Sequence, residues 1–112
     1  MGAEECDMEP FGYDLVLAVV NHGYADEAME LARAAGAFGG TIIHARGVGM
    51  KQAERFFGVS VQAEKEVLFT VVPGRLRQAV MDAIVQKAGP GTDAGAVVFS
   101  LPVEQAYGLA EH

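Results

Sequence analysis

The chain has 112 residues, is 51% hydrophobic, and sets 15 acidic side chains against 8 basic ones for a net charge of -7. That length argues for one domain, and the apolar share is enough for a real core. The bases are scattered rather than clustered, which counts against nucleic acid and against an anionic membrane surface as partners.

Residues 1–12 carry Glu4, Glu5, Asp7 and Glu9, end in Pro10-Phe11-Gly12 and show no period, so they read as a flexible acidic tail. Tyr13 to Val20 is a short, nearly continuous apolar run, as expected of a strand central in a sheet, and Asn21-His22-Gly23 closes it with turn chemistry. Asp26 and Glu27 place negative charge where a helix starts. Ala28, Leu31, Ala32 and Ala35 then recur at helical spacing, with Gly36 to stop the helix.

Gly39 to Gly49 begins as a turn, runs through the β-branched Thr41-Ile42-Ile43, and breaks at Gly47-Val48-Gly49. A strand that hands over to such a loop suits a ligand, because glycine permits positive φ or a close approach. Residues 50–64 read as a long loop, which in so small a domain points to function. Glu66 to Val72 is the third strand, with Glu64 and Glu66 as its solvated start.

A second helix shows in Leu76, Val80, Ala83 and Ile84, spaced i, i+4, i+7 and i+8; Lys87 suits its end and Gly89-Pro90-Gly91 terminates it. Ala96 to Leu101 makes a fourth strand, Pro102 ends it, and Val103 to Leu109 is expected to add a last turn of helix.

The order β-α-β-β-α-β is that of the ferredoxin-like α+β fold, a four-stranded antiparallel sheet with two helices on one face. The other face is left bare. Strands this apolar would expose a patch that soluble monomers avoid, so a sheet-to-sheet homo-oligomer is expected.

Val71-Val72-Pro73, Leu76, Ala79-Val80, Ala83-Ile84, Gly91, Phe99 and Pro102-Val103-Glu104 with Ala106 fall in one ungapped register. In that register the chain resembles the PII nitrogen-regulatory signalling proteins. Thr41, Arg46 and Gly47-Val48-Gly49 extend the likeness into the second strand, and it covers roughly residues 13–107.

The resemblance implies a cytoplasmic homotrimer of ferredoxin-like subunits spanning residues 13–112, in which an adenine nucleotide (ATP, ADP or AMP) binds in clefts between subunits. It implies that Thr41, Arg46, Gly47, Val48, Gly49, Lys51, Gly91 and Thr92 contribute to that effector site. The loop after the second strand, the T-loop, would dock on a target transporter or enzyme, with Arg55, Phe56 and Phe57 at its tip.

The chain also departs from the family. Where the family has T-G-K-x-G-D-G-K, it reads Pro90-Gly91-Thr92-Asp93-Ala94-Gly95-Ala96-Val97, and Tyr107-Gly108-Leu109 replaces an Arg-x-Arg. Losing those cations weighs against ordinary ATP binding, since each charged hydrogen bond contributes about 1.5–3 kcal/mol. The T-loop is shorter than usual and holds no tyrosine for uridylylation.

Two other readings stand beside this one. A divalent-metal-binding trimer like the CutA proteins shares the fold, but His22, His44 and Cys6 lack the spacing of a ligand set, so no metal is expected. The other is an interaction trimer without ligand. No nucleophile, base and acid come with a supporting motif, so no enzyme is expected. Cys6 has no partner for an internal disulfide, as fits a reducing cytoplasm. No apolar run approaches the roughly 18 residues of a membrane-spanning helix, and the acidic start lacks the features of a signal peptide.

Overall fold

β-branched and apolar runs become strands and the alanine-rich and Leu/Val/Ile-spaced runs become helices, in the order expected from the sequence. The structure, a computed structural model, describes residues 12–48 and 63–109. The elements are β1 (Tyr13–Asn21), α1 (Ala25–Ala34), β2 (Thr41–Arg46), β3 (Glu64–Pro73), a 3-10 turn (Gly74–Leu76), α2 (Arg77–Ala88) and β4 (Val97–Pro102). The sheet order is β2-β3-β1-β4 with every neighbouring pair antiparallel. This is the ferredoxin-like fold. The proposed tail, residues 1–11 in particular, and most of the long loop lie outside the described residues.

β1 and β3 occupy the centre, and burial alternates strictly along both. Val16, Ala18 and Val20 of β1 and Leu68 and Val72 of β3 point under the helices, where they meet Ala28, Met29 and Ala32 of α1 and Val80, Ile84 and Ala88 of α2. Three polar side chains share that buried side. Asp14 Oδ2 lies 3.6 Å from Arg77 Nη1, Thr70 Oγ1 donates to Gly39 O at 2.6 Å, and Glu66 is buried beside the start of α1.

α1 ends as its sequence suggests. Gly36 takes φ +119°. Its N–H reaches Arg33 O, and that of Ala37 reaches Ala32 O, a paired closure that satisfies carbonyls otherwise left over at a helix end.

Among the described residues, no helix covers the opposite side of the sheet. Leu15, Leu17 and Val19 alternate out of β1, and the register places Leu17 between Phe69 and Phe99. Ile43, Phe99 and Leu101 stand about half exposed there, at 47%, 51% and 48%.

Two expectations are corrected. Residues 103–109 form no helix. Val103 instead donates its N–H to Tyr13 O, Gly108 takes φ +90°, and a single, largely exposed turn does little to offset its nucleation cost. Glu66 is not solvated: β3 starts earlier, at Glu64, and the added pairs Lys65 with Asn21 and Glu66 with Val20 draw Glu66 into the sheet.

Candidate functional site

The end of the sheet where β1 and β2 finish and β3 and β4 begin gathers most of the residues expected to bind a ligand. Arg46 closes β2 opposite Glu64. Gly47 donates its N–H to Ala63 O at 2.6 Å, a close backbone approach that seals the mouth of the β2–β3 pair. Val48 is 76% exposed. The turn carrying Gly91 and Thr92 belongs to the same end. Asn21 donates from its backbone N to Ala94 O at 2.9 Å and from Nδ2 to Asp93 O at 2.8 Å.

Asn21 Oδ1 in turn accepts from Lys65 Nζ at 2.7 Å, and partial burial lowers the Lys65 ammonium below its ordinary value. Gly91 is exposed with φ +91°. The Thr92 hydroxyl is already engaged, donating to Gly89 O at 2.7 Å and accepting from the Gly95 N–H at 3.3 Å; it holds the turn together.

Thr41 is elsewhere. It opens β2 on the bare side of the sheet opposite Phe69, five residues and thus about 16 Å of strand from Arg46. It borders an open depression of about 530 Å³ with Leu15, Phe38, Gly40 and Phe69. Gly49, Lys51, Arg55, Phe56 and Phe57 fall outside the described residues.

A second constellation combines residues that spacing gave no reason to join. His44 pairs across the ladder with Glu66, which places both on the helix-facing side. His22 follows β1, its N–H bonded to Glu64 O, and so arrives beside the same carboxylate. Glu66 Oε2 lies 3.3 Å from His22 Nδ1 and 3.8 Å from His44 Nδ1, and the two rings are 5.8 Å apart, centre to centre.

Glu66 Oε1 accepts the Ala25 N–H at 3.0 Å, so this β3 side chain caps α1, whose own cap position is Tyr24 with no capping side chain. Burial alone would raise the Glu66 carboxyl. The N–H groups of Ala25 and Gly23, with the imidazoles of His22 and His44, outweigh burial and hold it below its ordinary value. The one sequence signal of this arrangement was the want of Ser, Thr, Asp or Asn where α1 starts.

Residues 13–112 match the family described as Nitrogen regulatory protein P-II. The chain belongs to the P-II family. Its fold is also that of Arabidopsis thaliana PII, whose crystal structure is bound to citrate: TM-score 0.62 at 22% identity, covering 82% of this chain and 78% of that one. A putative PII-like signalling protein from Thermus thermophilus gives TM-score 0.57 at 21% identity, covering 80% of this chain and 85% of that one. No match was found among curated proteins. P-II proteins are regulators. Among the described residues no helix is long and apolar enough to cross a membrane.

Proposed function

We propose that this P-II protein is a cytoplasmic signal-transduction trimer that binds a small anionic effector between subunits and controls a partner through its loop. The observation that carries this reading is the bare side of the sheet, where Ile43, Phe99 and Leu101 stand half exposed beside Leu17 and Phe69. Three copies packed through that side would bury a patch that a lone subunit leaves in water. The separation of Thr41 from Arg46 and Gly47 supports a cleft between copies, because Thr41 of one subunit can then face the strand end of its neighbour.

The effector class is the adenine nucleotides. Gly91 and Thr92, with Arg46, Gly47, Val48, Gly49 and Lys51, would line the cleft, and residues 50–64, with Arg55, Phe56 and Phe57, would dock on a transporter or enzyme. Ordering of that segment by the ligand is the mechanism.

Sedimentation together with calorimetric titration of ATP, ADP, AMP and their cyclic forms tests the reading. The expected result is a three-subunit mass with saturable binding of at least one nucleotide. A well-behaved single subunit at micromolar concentration overturns the assembly, and silence from every nucleotide overturns the effector class.

A further inference from the structure

We infer that His22, His44 and Glu66 form a binding site for a divalent transition-metal cation. One donor atom from each of the three lies within 4.8 Å of the others. A tetrahedral zinc with bonds of about 2.0–2.1 Å holds its ligand atoms about 3.3 Å apart. The His22–Glu66 separation of 3.3 Å already meets that, and the His44–Glu66 separation of 3.8 Å is close to it. Both imidazoles are largely exposed, at 58% and 75% of their side chains, so closing the remaining gap needs only a small ring movement.

The donor set is informative in itself. Two imidazoles and one carboxylate suit zinc and its neighbours rather than magnesium or calcium, which favour oxygen. Three protein ligands leave a fourth position open to water or a small ligand.

The carboxylate is prepared for the role. Its other oxygen is fixed by the Ala25 N–H at 3.0 Å, as outer hydrogen bonds fix the ligands of known metal sites. A structural cluster in which both rings simply hydrogen-bond to Glu66 Oε2 is the plain alternative, and it binds no zinc. A dication satisfies all three groups at once.

The site lies on the helix-facing side of β2 and β3, away from the bare side through which the subunits are proposed to meet, and its test uses no nucleotide. The test is calorimetric titration of the metal-stripped full chain with Zn2+ and, separately, Mg2+, on the native protein and on His44→Ala and His22→Ala. Both substitutions fall on exposed side chains and spare the Glu66 cap, so the fold persists.

One Zn2+ per chain is expected, weakened at least tenfold in each variant, with no Mg2+ binding at the same concentrations. Zinc binding that survives both substitutions would belong to other groups, such as Cys6 or His112, and overturns the site. So does the absence of zinc binding, and equal binding of Mg2+ overturns the transition-metal assignment.

Discussion

Glu66 shows how much one side chain can join. It caps α1 from 41 residues away, and its second oxygen meets two histidines. Because its folded carboxyl titrates below the ordinary 4.5, the unfolded chain takes up this proton more readily. The stability it contributes is therefore complete above about that pH and is lost as pH falls through the lower folded value.

Urea unfolding across the acid range should show that decline. Glu66→Gln should lower stability by about 1 kcal/mol at neutral pH and flatten the acid slope; an unchanged slope would mean another carboxylate is responsible. Beyond the missing cap residue at the start of α1, none of this was legible in the sequence. Glu66 read as a solvated strand start because alternation along β3 says which residues share a side, not which side the helices cover. The meeting of positions 22, 44 and 66 depends on ladder register, which no local pattern encodes.

At the scale of elements the chain was far more readable. The Tyr13–Val20 run, the alanine spacing of α1 and the Val80-to-Ile84 part of the second period each become the element they suggest, since burial on one side and propensity point the same way, while Leu76 falls in the 3-10 turn that leads into α2. The last segment failed that test: Val103–Leu109 is largely exposed and too short to form a helix alone.

The entry to β2 was half legible. The glycine pair reads as a turn, but Gly40 is there for space. A Cβ on it would stand 2.6 Å from Phe69 O and 2.9 Å from Leu68 Cδ1, with Met29 Sδ 3.1 Å away. The backbone carbonyl cannot yield without shifting the β2–β3 pair. Gly40→Ala should therefore cost about 1–3 kcal/mol, seen as a lower denaturation midpoint, whereas Gly39→Ala, with nothing within 4 Å of the added methyl, should cost much less.

For the whole molecule, the uncovered side of the sheet is the surface through which three copies are proposed to meet. Phe99 lies opposite Leu17 near its middle and is half exposed. Phe99→Asp should leave the subunit fold within about 0.5 kcal/mol of its native stability, as surface substitutions usually do. It should also shift sedimentation from the three-subunit mass to one. A trimer that tolerates the aspartate would mean the subunits meet elsewhere.

β1 and β3 are apolar on both sides, and that has a cost. Sliding either strand by one position would exchange one greasy row for another, so hydrophobicity alone hardly distinguishes right from wrong alignment. The distinction falls to Asp14, Glu66 and Thr70, each anchored to a group off the strand: Arg77, the Ala25 N–H and Gly39 O. These three act as indexing pins, and a sheet stripped of them would keep its cohesion while losing its unique alignment.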